Sequence, residues 1–327
     1  MGGQAEVPLL AQLSWVGSAL DHAAEALNSS LKIEYIHHQH ITTRTETRDA
    51  RGFGRAPGRS QVDTLVDMQL AYDRCGAGPP LVLLHGAGHR RQAWLPVQDR
   101  LTKHREVISL DFPGFGESPP LPDHLSYELD TAVIVLAEFF ADLGLNRPHV
   151  AGNSMGGLVS LVLAQHGLVR SATALSPAGL WTPMQRWVSL RKVRSVHRTA
   201  CCMPPKVAVR LSQTAAGRTL MCGVLYGRPD LLEPQVLLED MQAMINAVGF
   251  RPSLAAGDKI IFAGRVPDVP VTIAWGARDF LFRRPRAESI IQLIPHARLL
   301  RLPGCGHVPM NDNPELVAHV LLTGSDD

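Results

Sequence analysis

The sequence predicts an α/β protein, with a βαβ sheet as its core, a helical cap inserted into it, and an N-terminal helical extension ahead of it. Two observations carry this. From Asp63 onward, short β-rich runs each stop at a Gly-rich turn and are often followed by helical spacing, the rhythm of strands alternating with helices. Between Leu175 and Val271 that rhythm lapses, and the chain reads as several helices separated by Pro204-Pro205, Gly227 and Pro234.

In order along the chain, Leu9, Leu13, Val16, Leu20, Ala23, Leu27 and Leu31 recur every three or four residues and predict a helix with one apolar stripe. That stripe can dock on the core or on a second subunit, which makes a homo-oligomer through this helix or the cap an expectation. Thr42–Gln61 interleaves five arginines with Gly52, Gly54, Pro57 and Gly58, the composition of a solvated linker. Strands are predicted at Met68–Arg74, Leu81–Leu84, Val107–Leu110, Pro148–Gly152, Ala172–Leu175, Val271–Trp275 and Ala297–Leu302. The 327 residues thus divide into an extension (1–62), a first core segment (63–180), the cap (181–262) and a second core segment (263–327).

Composition excludes several function classes. Apolar residues are 45% and charged residues 19% of the chain, so the whole cannot be intrinsically disordered. Lysine and arginine total 32 against 30 acidic residues, a balance of +2 that gives no global field for wrapping nucleic acid. The longest apolar stretches, such as Thr131–Leu136 and Leu158–Ala164, stop far short of the roughly 18 residues of a membrane span. No Lys or Arg precedes Lys32, so a secretory signal is not expected, and Glu6 spoils the myristoylation pattern that begins Met1-Gly2-Gly3. The five cysteines form no C-x-x-C pair, which fits free thiols in a reducing cytoplasm.

The chemistry lies on the turns. Gly152-Asn153-Ser154-Met155-Gly156 follows a strand and precedes the apolar helix Leu158–Ala164. A serine on so sharp a turn needs strained backbone angles, and the two glycines remove the Cβ atoms that would collide across it. The helix N-terminus behind it directs free N–H groups at developing negative charge. A serine hydroxyl needs a base to take its proton, and the base needs a carboxylate to orient it. Asp279, in Trp275-Gly276-Ala277-Arg278-Asp279, and His307, in Pro303-Gly304-Cys305-Gly306-His307, each follow a strand, in the chain order that three loops at one sheet edge require. His296 precedes its strand and lies at the wrong edge, and Leu175-Ser176-Pro177 offers no carboxylate. A tetrahedral oxyanion needs two N–H donors, which Ala87, in His85-Gly86-Ala87-Gly88, and Met155 can supply from their backbones. His85 itself reads as a structural residue holding that loop.

Together with the turn Asp111–Ser118, of the form D-x-P-G-x-G-x-S, these segments resemble the α/β-hydrolase superfamily over about Asp63 to the C-terminus. The resemblance implies a mostly parallel sheet flanked by helices, a helical cap over the site, and a mechanism without cofactor or metal. It makes Ser154 the nucleophile of the elbow, His307 the general base and then acid, Asp279 its orienter, and Ala87 with Met155 the oxyanion hole. Ser154 argues against the haloalkane dehalogenases and epoxide hydrolases, whose nucleophile is an aspartate. The Ser154 string is similar to that of the C–C bond hydrolases of aromatic ring degradation, and with His85–Gly88 also to monoacylglycerol lipases and small carboxylesterases. Val308 follows His307 where the C–C hydrolases usually carry tryptophan. The expected substrate is therefore a small or medium hydrophobic carboxylic ester. The alternatives are a C–C bond hydrolase, a cofactor-free perhydrolase, and a ligand-binding receptor-like module that keeps the triad. No nucleic-acid partner and no integral membrane association are expected.

One asymmetry hides behind the near-zero net charge. From Trp181 to Pro229 the sequence has nine basic residues and no Asp or Glu. With Trp187, Leu190, Val193 and Val196 interleaved, this predicts a basic amphipathic helix. It can form solvated cap surface, attract an anionic substrate, or rest on a membrane surface.

Overall fold

A computed structural model describes residues 68–267 and 269–326. The predicted helix over Leu9–Leu31 and the linker over Thr42–Gln61 lie outside the described residues. Seven strands form one sheet: β1 (Tyr72–Cys75), β2 (Pro80–Leu84), β3 (Glu106–Leu110), β4 (His149–Asn153), β5 (Ser171–Leu175), β6 (Val271–Gly276) and β7 (Arg298–Leu302). Their order is β1-β3-β2-β4-β5-β6-β7; β1 runs antiparallel to β3 and every other pairing is parallel. The sheet is therefore mostly parallel.

β1 starts later than the predicted Met68. Tyr72 pairs with Leu110, the last residue of β3; Ala71 still accepts from the Asp111 N–H at 2.9 Å, but its own N–H donates to the Ser118 hydroxyl at 2.9 Å, so the ladder stops there. The central strands are apolar on both faces, as parallel strands covered on both sides must be. Leu81 and Leu83 pack with Trp94, Val97 and Leu101 of the α1 side (α1, Leu95–Leu101), whereas Val82 and Leu84 are equally buried. α2 (Leu129–Asp142) packs on α3 (Met155–Gln165), whose residues from Gly156 to Ala164 are all buried against β4 and β5.

Between β5 and β6 come α4 (Pro183–Cys202), α5 (Pro205–Ser212), α6 (Ala215–Cys222), α7 (Pro234–Asn246) and α8 (Phe250–Gly257). α4 begins with a capping box, in which the Thr182 hydroxyl accepts from the Gln185 N–H and the Gln185 side chain accepts from the Thr182 N–H. α9 (Ala287–Leu293) and α10 (Pro314–Thr323) complete the core, with α10 against α1. No helix among the described residues is long and apolar enough to cross a membrane.

β2 is the point where successive strands depart to opposite sides, so the loops after β2 and β4 open side by side at the C-terminal edge. That is where an open α/β sheet forms its ligand crevice.

Candidate active site

Ser154 sits between β4 and α3 with φ 55° and ψ −110°, a conformation that costs on the order of 1–3 kcal/mol in a non-glycine residue. The surroundings hold it there. Its N–H donates to the Leu175 carbonyl at 2.9 Å, and its carbonyl accepts from Leu158 and Ala178 N–H groups, both at 3.0 Å. A Cβ on Gly152 would run into the Gly156 carbonyl, and one on Gly156 into the Leu84 carbonyl at the end of β2. Both glycines are thus required by close backbone approach. The same closeness places Gly86, in the loop after β2, directly against Ser154, where an added Cβ would stand 3.2 Å from the serine Cβ.

His307 and Asp279 are brought together from the loops after β7 and β6. His307 Nδ1 is 2.9 Å from Asp279 Oδ2, and both side chains are almost wholly buried. The second oxygen, Oδ1, accepts from the Leu281 and Phe282 N–H groups at 2.9 and 2.8 Å, so the carboxylate has no rotational freedom left. The Phe282 ring packs edge-on against the imidazole at a centroid distance of 4.4 Å. Ser154, His307, Gly86, Ala87 and Met155 all line one cavity. His296, by contrast, bonds to the Val269 carbonyl ahead of β6, at the other end of the sheet. Another histidine–serine pair, His149 with Ser171 at 2.8 Å, lies at the opposite ends of β4 and β5 from Ser154.

His85 anchors the loop that carries Ala87. Its Nε2 accepts from the Phe112 N–H at 3.0 Å, so Nδ1 carries the proton and donates to the Gly86 carbonyl at 2.8 Å. Burial holds its pKa down to about 4, which keeps the ring neutral and able to accept. The sign of the pH effect follows. Above pH 6.5 the ring is neutral in both states, and no stability is lost. As pH falls below that, the unfolded chain binds a proton that the fold refuses, a loss of about 3 kcal/mol accumulated by pH 4. His89, also lowered by burial, acts in the same sense. The denaturation midpoint is therefore expected to fall between pH 6.5 and 5, above the range where carboxylates titrate, and His85→Gln is expected to flatten that slope. Equal slopes in both proteins would contradict the assignment.

Three positions escaped sequence reasoning. Asn153, fully buried beside the serine, donates through Nδ2 to the Leu175 carbonyl at 3.1 Å and to the His307 carbonyl at 2.8 Å, tying the histidine loop to the elbow. Asp312 accepts from the N–H groups of Gly306, Gly227 and Arg228 at 2.7, 2.9 and 2.7 Å, joining the histidine loop to the insertion. Burial still pushes its pKa above the ordinary aspartate value, against the lowering effect of those bonds. In the insertion, the Tyr226 hydroxyl donates to Asp240 at 3.0 Å, which leaves its oxygen to accept from His89 Nε2 at 3.3 Å. His89 lies on the cavity wall. The Asp111–Ser118 turn proves to be scaffolding: Asp111 accepts from the backbone and guanidinium of Arg91 and from Glu117 N–H, close behind the loop after β2.

The cavity is apolar apart from these groups. Leu190, Val193 and Val196 of α4, Met244 of α7 and Phe250 and Leu254 of α8 supply its walls, and it encloses about 90 Å³. Among the described residues, no group of three or more His, Cys, Asp or Glu side chains is arranged to hold a metal ion.

A mostly parallel sheet with a strained serine at its C-terminal edge defines the class, and the chain belongs to the alpha/beta hydrolase family, whose sequence profile matches residues 81–320. The chain is 24% identical over 267 residues to the pimeloyl-[acyl-carrier protein] methyl ester esterase of Aeromonas hydrophila, covering 78% of this chain and 98% of that one. It is 27% identical over 274 residues to a monoacylglycerol lipase of Bos taurus, covering 78% and 79%. Among solved structures, a bacterial membrane phospholipase A superimposes with a TM-score of 0.62 at 25% identity, covering 80% of this chain and 84% of that one.

Proposed function

We propose that the protein is a cofactor-independent serine hydrolase that cleaves a small carboxylic ester through an acyl-enzyme, with the inserted helices as a cap over the site. The reading rests above all on Ser154, strained at the end of β4, sharing a cavity with a histidine whose other nitrogen is fixed by Asp279. In this mechanism Ser154 Oγ attacks the ester carbonyl carbon while His307 Nε2 takes its proton. The carbonyl oxygen becomes an oxyanion facing the backbone N–H groups of Ala87 and Met155. Collapse breaks the C–O bond, and the alcohol leaves with the proton from His307. Water then attacks the acyl-enzyme by the same route, giving the acid and free serine.

The cavity also bears on the acyl group. About 90 Å³ is less than the roughly 150 Å³ apolar cavity that admits benzene. Acetyl to butyryl esters are therefore expected to exceed octanoyl esters in kcat/KM, and a rising series from acetyl to octanoyl would contradict this. The mechanism is tested by treating folded protein with a fluorophosphonate probe and locating the adduct by mass spectrometry. Labelling is expected at Ser154 and nowhere else. A folded protein that resists the probe would sink the reading, and a vinylogous dienoic keto acid turned over faster than aryl esters would replace it with C–C bond hydrolysis.

A further inference from the structure

A cleft of about 500 Å³ lies beyond Trp181, and Arg283, Arg284 and Arg286 line it together with Thr182, Gln185 and Ser289. No carboxylate lines it. Among the described residues, none of these three guanidinium groups has an ion pair or a side-chain hydrogen bond. The arginines of the sequence-predicted basic stretch are different. Arg194 pairs with Asp258, Arg228 with Asp230, and Arg218 donates to the carbonyls of Ser212, Pro229 and Asp230. Three arginines of the insertion are thus engaged by acids or carbonyls, whereas all three around this cleft keep their side-chain donors unengaged. The nearest acid in sequence, Glu288, is exposed and does not line it.

The remaining polar groups point to the same ligand chemistry. Gln185 has its oxygen engaged by the Thr182 N–H, which leaves its amide nitrogen as a donor. The N-terminus of the 20-residue α4 opens at Thr182 and adds its positive dipole end. The three guanidinium groups are exposed to solvent, and their planar forks match the oxygens of a phosphate. The cleft is also next to the candidate active site. Trp181 lines both spaces, is fixed by a 2.9 Å bond from Nε1 to the Ile260 carbonyl, and packs edge-on against Phe282. Phe282 in turn covers His307, and Arg283 is the next residue.

We propose that this cleft binds the phosphate group of a phosphate-bearing ester, holding the end of the molecule remote from the bond that Ser154 attacks. The binding site stands on the arginines alone; only the identity of its ligand as a substrate rests on the serine-hydrolase reading. The shared chemistry is a phosphate ester, whether a soluble metabolite or a lipid headgroup carries it.

The test titrates the full-length protein with glycerol 3-phosphate by calorimetry. Saturable binding is expected in the wild type, weakened ten-fold or more in the triple variant Arg283→Ala, Arg284→Ala, Arg286→Ala. It should be retained in Arg298→Gln with Arg301→Gln, which removes exposed charge elsewhere. Raising salt from low to physiological ionic strength should weaken it as well. In kinetics, butyryl esters of glycerol and of glycerol 3-phosphate are compared. The triple variant is expected to lose ten-fold or more in kcat/KM on the phosphorylated ester only. Flotation with phosphatidylcholine vesicles, with and without phosphatidylglycerol, separates the sources. Arginine-dependent capture by the anionic vesicles, without glycerol 3-phosphate binding, supports the headgroup. Equal behaviour of wild type and triple variant toward both probes overturns the proposal. Intact fluorophosphonate labelling with no phosphate binding defeats this proposal alone, and phosphate binding without labelling defeats the hydrolase reading alone.

Discussion

Ser154→Ala is expected to lower kcat for a p-nitrophenyl ester by about 10⁶, roughly 8 kcal/mol of transition-state stabilisation, while the melting temperature stays where it was. The size follows from the loss of the covalent route. In the proposed mechanism no acyl-enzyme forms without the hydroxyl, and the donors of Ala87 and Met155 assist only direct attack by water. The retained stability follows from geometry. Alanine keeps the Cβ, so the φ of 55° is neither better nor worse tolerated, and the backbone bonds to Leu175, Leu158 and Ala178 do not involve the side chain. Stopped-flow release of p-nitrophenol should lose its burst together with its steady state. A variant with more than a tenth of wild-type activity would remove Ser154 from the mechanism.

Asp279→Asn is expected to cost about 10⁴ in kcat, with the fold intact. Asp279 Oδ1 already accepts from the Leu281 and Phe282 N–H groups, so an asparagine keeps its carbonyl oxygen there and turns its NH₂ toward His307. An NH₂ group opposite Nδ1 forces that nitrogen to accept, and the ring proton moves to Nε2. His307 then has no lone pair to take the serine proton. Fluorophosphonate labelling should slow in parallel with ester turnover, because both need the same proton transfer. Unchanged rates of both would show that the Asp279–His307 bond only supports the loop.

Much of this site was legible because its parts are local. The elbow is five consecutive residues, and its glycines are explained by contacts with Leu84 and with each other. The five central strands, β2 to β6, are visible as largely apolar runs stopping at turns, since strands buried on both faces need no alternation; the edge strands β1 and β7 are more exposed and carry charged residues. His85 was legible as a loop anchor, although its partner Phe112 was not. What stayed hidden depends on distant pairings. Asp312 serves Gly227, 85 residues away, and Tyr226 meets His89 across 137 residues. Such contacts leave no spacing in the sequence. Asn153 stood inside the elbow motif, yet its bond to the His307 carbonyl depends on how β7 returns to the sheet. The arginine cleft is hidden for a related reason: Arg283, Arg284 and Arg286 lie outside the basic stretch Trp181–Pro229, and only the fold sets them beside Thr182 and Gln185.

The join between the insertion and the histidine loop is made of backbone. A Cβ on Gly227 would strike the Gly304 carbonyl, one on Gly306 would strike the Gly227 nitrogen, and Asp312 closes the seam through three N–H groups. The pocket walls at Leu190, Val193, Val196 and Met244 are side chains on helices instead. On the proposed function, wall residues can be exchanged to reshape the bound group, while the His307 loop is held by this backbone seam with few side chains, Asp312 and Asn153.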